Sequence, residues 1–190
     1  MLKKAIIIIA LIQNSAFALE ITDLKPTECV EKICQSANVT FSNVITVYDV
    51  KYVKTEDNSH LIMPLTSGRA KNQYSNVRIE SKTLHDKLID AFQNQKIEKK
   101  AILPIDVRVL SARKLLSDFR IANVNILFDG ELLVTFGLLR LTTINYRTKT
   151  PTISEFVSIP KNFKFQSPIF ENKIKKLIKR EGLRVSKKTK

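Results

Sequence analysis

Side chains that could act as general acids or bases are few and scattered in this 190-residue sequence. His60 and His85 are its only histidines, and four carboxylates could pair for acid–base work: Asp106, Asp118, Asp129 and Glu131. Each carboxylate has a simpler role as an outward strand or turn residue. No Gly-x-Ser-x-Gly, glycine-rich phosphate loop, His-Glu-x-x-His or EF-hand spacing occurs. We therefore predict no catalytic residue, no metal site and no cofactor, and we favour a role other than catalysis.

A cluster of cationic side chains near the C-terminus is the second chemical feature. Residues 161–190 contain eleven Lys and Arg against two acids, so they hold +9 of the formal charge of +14. Ser167-Pro168 predicts a helix N-cap followed by proline in the first turn, and Gly182 is expected to end that helix. An apolar stripe within 169–178 predicts that the helix packs on the protein. The candidate binding residues surround this stripe: Lys173, Lys175, Lys176, Lys179, Arg180 and Arg184.

Three interpretations of this cationic cluster are open. It is a solvated face, with some cations complementing the helix dipole. Alternatively it contacts anionic lipid, lipopolysaccharide or a peptidoglycan-linked polymer, where each basic residue near the charged surface contributes about 1 kcal/mol. Nucleic acid ranks last, because the chain has no Trp and no aromatic-rich basic strand on which bases would stack.

The first eighteen residues have the three parts of a secretory signal peptide. Lys3 and Lys4 precede the apolar run 5–12, and Ala16-Phe17-Ala18 supplies the small residues expected before a cut. The competing interpretation is a buried N-terminal strand, because isoleucine runs favour strands. Cleavage after Ala18 predicts a periplasmic or secreted protein that begins at Leu19. The absence of a cysteine just after the cut disfavours a lipoprotein, and no apolar run is long enough to span a bilayer.

The chain has two cysteines, Cys29 and Cys34, and the predicted export would place both in an oxidising compartment. A lone pair in an oxidising compartment favours a disulfide. The 3 and 4 spacing of apolar residues within 26–37 predicts a helix, however. Positions five apart on a helix are separated by a rise of roughly 7.5 Å and a rotation of about 140°, which a disulfide does not tolerate. Either the cysteines are bridged and the segment is not a regular helix, or it is helical and the thiols are free; compartment favours the bridge.

The rest of the chain predicts an α+β fold, with one antiparallel sheet of about four to five strands and helices packed on one face. Asp129-Gly130 between apolar runs predicts a tight β-hairpin. We expect a signal peptide at 1–18, one domain at 19–180 and a basic tail at 181–190. The elements expected in the domain are a strand at 44–53, a long polar connection at 54–76 with room for a short strand at 60–65, a helix at 82–96 capped by Ser81, and strands at 103–111, 122–128, 131–146 and 152–159.

This order of elements resembles that of small bacterial envelope proteins of the YajG and ABC-transport auxiliary lipoprotein kind. The matching stretches are 44–53, 83–93, 105–109, 121–134 and 169–179. The lipid-anchoring cysteine of that family is missing here, so the resemblance does not extend to membrane attachment. We expect an exported, non-catalytic envelope accessory protein that binds a partner protein or an anionic envelope component through its basic C-terminal helix. The alternative is a secreted enzyme or effector whose site is assembled from dispersed residues.

Overall fold

The computed structural model describes residues 18–30, 33–55, 58–67, 73–94, 97 and 104–187. The signal peptide expected at 1–18 lies outside these residues except for Ala18, and so do Lys188 and Lys190 of the expected tail. Helix α1 is Lys82–Asn94 and helix α2 is Pro168–Ser186. The described strands are β1 (Ile21–Val30), β2 (Ile33–Phe41), β3 (Ile45–Lys54), β4 (Ser59–Ile62), β5 (Leu65–Ser67), β6 (Gln73–Ser75), β7 (Val77–Ile79), β8 (Val107–Lys114), β9 (Arg120–Phe128), β10 (Leu132–Ile144), β11 (Pro151–Ser158) and β12 (Phe163–Phe165).

The described strands form two five-stranded antiparallel sheets and one small hairpin, β5–β6. The first sheet has the order β1-β2-β3-β12, with β4 also paired to β3, and the second has the order β11-β10-β9-β8, with β7 also paired to β10. The mixed α and β composition agrees with the prediction, but the single sheet does not. Most of the extra strands come from two segments that had been interpreted as a helix and as a connection, and the short strands β7 and β12 lie outside both.

The segment expected to be a helix at 26–37 is instead the β1–β2 hairpin, so this prediction was wrong. Ala37 and Val39 on β2 and Phe41 at its end alternate with more exposed residues and are fully buried. This period of two continues past the point where the helical spacing stopped, and it matches a strand with one face in the core. Pro26 lies opposite Ala37 on β1, the outer strand of the sheet, where a missing N–H is tolerated.

Two predictions that depend only on residues close in sequence, the cap of α1 and the β9–β10 turn, are confirmed. Helix α1 begins after Ser81, whose Oγ accepts the Leu84 N–H at 3.2 Å. The β9–β10 hairpin turns at Asp129 and Gly130, whose φ angles are +49° and +72°. Both residues therefore have the left-handed conformation of a type I′ turn, and the Glu131 N–H closes the turn on the Phe128 carbonyl oxygen at 2.9 Å.

Each helix lies mainly against a different sheet. Helix α1 contacts β1, β2 and β4 of the first sheet and β7 of the second, while α2 contacts β8 through β11 and also β12. The expected arrangement, with both helices on one face of a single sheet, is therefore not found. A single cluster of buried apolar side chains includes members from both sheets and both helices.

Phenylalanines at the centre of this cluster connect the two sheets. Phe163 and Phe165 belong to β12, which pairs with β3 in the first sheet. Their rings contact Phe136 of the second sheet at centroid distances of 5.6 and 6.0 Å. Phe170 on α2 lies 5.8 Å from Phe165, so the same group also holds the start of the C-terminal helix.

Gly182 does not end α2, contrary to expectation; the helix continues to Ser186. The reason is a close approach to β10, because a Cβ atom at position 182 would lie 2.8 Å from Leu138 Cδ2. Glycine is needed here for packing rather than for a left-handed cap. Residues 181–186, which were expected to belong to the basic tail, are part of this helix.

Candidate functional site

Helix α2, which contains the predicted binding residues, is capped at its start and packed against the core. The Ser167 Oγ accepts the Phe170 N–H at 3.3 Å, and Pro168 follows in the first turn, as predicted. Ile174 and Ile178, one turn apart, are fully buried against the core. Burial of this side of the helix leaves the opposite side to solvent, and this exposed side contains most of the predicted binding residues.

Four of the six predicted binding residues are in ion pairs. Lys175 Nζ lies 2.6 Å from Glu171 Oε1, one turn earlier on the helix, and Lys179 Nζ lies 3.6 Å from Glu155 Oε2 on β11. Arg180 and Arg184 lie on either side of Glu181, at 2.9 and 2.8 Å. The hydrogen bonds from Arg184 and Arg180 lower the pKa of the Glu181 carboxyl below its usual value. Part of the charge of the helix is therefore structural, joining its own turns and attaching it to β11.

Lys173 and Lys176 are different, because neither forms an ion pair with any residue in the described part of the chain. Both are exposed. Arg180, Arg184 and Lys187 continue from them at intervals of three or four residues, which places the five cations along one side of the helix. We call this row, Lys173, Lys176, Arg180, Arg184 and Lys187, the basic stripe.

A groove of about 530 Å³ runs beside the basic stripe, between α2 and the residues that lead into β8. Lys173, Lys176 and Arg180 form one wall, and Ile105 and Val107 are part of the other. Asp106 also lines the groove, but its carboxylate already lies 2.6 Å from Arg108 Nε. An anionic group in this groove would meet two lysines that have no described counter-ion and the exposed side of Arg180.

Three of the four carboxylates considered for acid–base chemistry, Asp106, Asp129 and Glu131, lie near one another at the β9–β10 turn. Asp129 Oδ1 accepts the Asp106 N–H at 2.6 Å. Burial raises the pKa of the Asp129 carboxyl from 3.8 to about 6; the Asp106 hydrogen bond lowers it, and the charges of Asp106 and Glu131 raise it. The geometry explains Asp129 as a residue that joins the turn to the start of β8.

The raised pKa of Asp129 predicts a pH-dependent stability. A carboxyl group whose pKa is higher in the folded than in the unfolded state disfavours folding once it ionises, so this cost is absent below pH 3.8 and complete above about pH 6. Asp129→Asn keeps the acceptor oxygen and tolerates the positive φ. We expect the variant to match the parent in acid and to exceed it by about 1 kcal/mol at neutral pH, after allowance for solvent screening of a half-exposed group. Urea unfolding at both pH values measures this, and an equal difference at both would contradict it.

Two further surface features were not predicted from the sequence. The outer face of the first sheet has a polar concavity of about 480 Å³, but its groups already bond to one another, as Thr40 Oγ1 does with Thr46 Oγ1 at 2.9 Å. The β10–β11 ribbon extends past the end of β9 and exposes large apolar side chains, including Tyr146 at 88 %. The members of this exposed group are Leu141, Ile144, Tyr146, Ile153 and Phe156.

The two histidines and Asp118 are at least partly exposed. His85 Nδ1 lies 3.4 Å from Asp86 Oδ1 on the outside of α1, and His60 is an exposed residue of β4. Within the described residues, no group of three or more His, Cys, Asp or Glu side chains could hold a metal ion. Asp118 is exposed between β8 and β9. Neither described helix is long and apolar enough to cross a membrane.

Cys29 and Cys34 are register partners across the β1–β2 hairpin. Directly opposed residues of antiparallel strands have Cα atoms about 4.5 to 5.5 Å apart, within the range that a disulfide requires. The helical geometry that argued against a bridge is therefore absent.

No family model, no curated protein and no solved structure matches this chain.

Proposed function

We propose that this chain is an exported, non-catalytic envelope protein whose basic stripe contacts phosphate-bearing groups of an anionic envelope surface. The observation that carries the proposal is the position of Lys173 and Lys176: both lie on an anchored helix, beside a groove, without a described counter-ion. An ion-paired lysine gains little from an external anion, whereas an unpaired one gains the full attraction. The YajG-like order of elements supports the same envelope setting.

Removal of Lys173 and Lys176, which have no ion pair with a described residue, should weaken binding to anionic lipid. We expect Lys173→Gln/Lys176→Gln to bind mixed phosphatidylglycerol and phosphatidylcholine vesicles roughly 10- to 30-fold more weakly than the parent at low salt, from about 1 kcal/mol per lysine. The difference should shrink as salt is added, because screening reduces the attraction of the parent. Vesicle co-sedimentation over a salt series measures both effects, with pure phosphatidylcholine as the uncharged surface.

Lys175→Gln/Lys179→Gln is the matched control, since it removes the same net charge from ion-paired positions. We expect its binding to fall less than threefold on the same scale. Equal losses in the two variants would show that only net charge matters, and no loss in either would show a solvated face.

Ile144→Ser/Tyr146→Ser tests the apolar ribbon in the same assay. If the parent binds no vesicle, a partner protein becomes the binding class and the ribbon its candidate surface.

Export and the proposed disulfide predict one mass for the protein recovered from the envelope fraction. The chain should begin at Leu19 and be two hydrogens lighter before reduction than after it, since Cys29 and Cys34 would be bridged. Intact-mass spectrometry with and without reductant measures both quantities. A chain that retains Met1 would contradict export, and two thiols that alkylate without reductant would contradict the bridge.

A further inference from the structure

A buried carboxylate lies where the predicted N-terminus of the processed protein would begin. Glu131 follows the type I′ turn and is only 7 % exposed. Its Oε2 accepts the Leu19 N–H at 2.7 Å, and its Oε1 accepts the Ser81 hydroxyl at 3.0 Å. Leu19 itself is fully buried. The two acceptors therefore join three distant parts of the chain: the segment that leads into β1, the cap of α1, and the β9–β10 hairpin.

The charge of this carboxylate has no cationic partner within the described residues, because no Lys, Arg or His there forms an ion pair with Glu131. A buried ionised group without a counter-charge is costly, and neutral donors offset only part of that cost. If Leu19 N were only a peptide amide, a glutamine at position 131 could accept from it and hydrogen-bond the Ser81 hydroxyl without that cost. A carboxylate becomes the better choice when its partner is positively charged.

We propose that Glu131 is the binding site for the α-ammonium group of Leu19, which hydrolysis after Ala18 creates. Hydrolysis breaks the bond between the Ala18 carbonyl carbon and the Leu19 nitrogen: the hydroxyl of water goes to the carbon and its hydrogen to the nitrogen. The proton that the new carboxylic acid releases then converts the amine to an ammonium. The ammonium replaces the amide donor at Glu131 Oε2 and supplies the missing positive charge. Processing therefore strengthens the attachment of the first sheet to α1 and the second sheet. This inference rests on cleavage after Ala18, but not on anion binding by the basic stripe.

A thermodynamic cycle tests the pairing. The chain beginning at Leu19 is compared with the same chain acetylated at its α-amino group, each with Glu131 and with Glu131→Gln. In the free-amine form we expect Glu131→Gln to lower the melting temperature by roughly 5 to 10 °C, because it removes one partner of a buried ion pair. In the acetylated form the loss should be less than half as large. Equal losses in the two forms would overturn the proposal, since they would show a hydrogen-bonding role that needs no charge.

A second measurement serves if Glu131→Gln does not fold. In the native parent, an amine-reactive ester should label the α-amino group of Leu19 at least tenfold more slowly than in the urea-unfolded chain, while exposed lysines such as Lys176 change little. Labelling of Leu19 as fast in the native protein as in the unfolded one would overturn the proposal. So would an exported protein that begins at another residue, whatever the outcome of the vesicle experiments.

Discussion

Replacing Phe163 with alanine is expected to lower the free energy of unfolding by about 3 to 5 kcal/mol. Phe163 is 4 % exposed, and its ring contacts Phe128, Phe136 and Phe165 at centroid distances of 6.2, 5.6 and 4.9 Å. Its removal leaves a cavity between the two sheets and also loses favourable ring contacts. Urea unfolding followed by circular dichroism measures the change.

Lys164→Ala is the control for this variant. Lys164 lies between the two phenylalanines on β12, but it is exposed and lines the polar concavity on the other face. We expect a change within about 0.5 kcal/mol. A loss of several kcal/mol from Lys164→Ala would mean that pairing of β12 with β3, rather than contact between the phenylalanines, stabilises this junction.

Ile178→Ala is expected to lower the free energy of unfolding by about 2 to 5 kcal/mol. Ile178 is fully buried on the side of α2 opposite the basic stripe. The cavity would weaken the attachment of the helix to the second sheet, so the melting temperature should fall by roughly 4 to 20 °C. Differential scanning calorimetry provides this measurement.

Leu177→Ala provides the comparison, because Leu177 follows the same apolar spacing but is only half-buried beside the groove. We expect it to cost about 1 kcal/mol, since less apolar surface returns to water. If the two variants lost equal stability, α2 would be packed more evenly around its circumference than the burial of its residues indicates.

Elements with strong local signals could be predicted from the sequence. The β-branched run within 44–53 forms β3, and Ser81 begins α1 where the capping rule places it. Asp129 and Gly130 form the expected turn because few residue pairs tolerate two positive φ angles. Ser167 and Pro168 begin α2 for similar reasons of capping and fixed φ.

Features that depend on distant residues could not be predicted in this way. The spacing within 26–37 satisfies a helix and a strand equally well until Val39 and Phe41 are included, and only their burial in the core decides between them. Strand β12 has three residues, too few for a periodic signal. The pairing of Lys179 with Glu155, and of Leu19 with Glu131, depends on tertiary packing. Sequence therefore located the six predicted binding residues, but it could not show that Lys173 and Lys176 are the two of them without an ion pair to a described residue.

The return of β12 to β3 also affects the order in which the molecule can fold. Phe163 pairs with Val47, more than a hundred residues earlier, whereas the β1–β2–β3 and β8–β9–β10–β11 meanders join strands that are close in sequence. Local hairpins form quickly, while contacts across long chain separations carry a larger loop-closure entropy and form late. Strand β4 pairs with the Lys51–Lys54 part of β3 from nearby in sequence, but the Ile45–Val47 part stays open until β12 has been synthesised. If the chain crosses a membrane from its N-terminus, as proposed, the joint between its sheets forms only after Phe165 has crossed, and until then the backbone groups of Ile45, Thr46 and Val47 that pair with β12 are accessible to a chaperone.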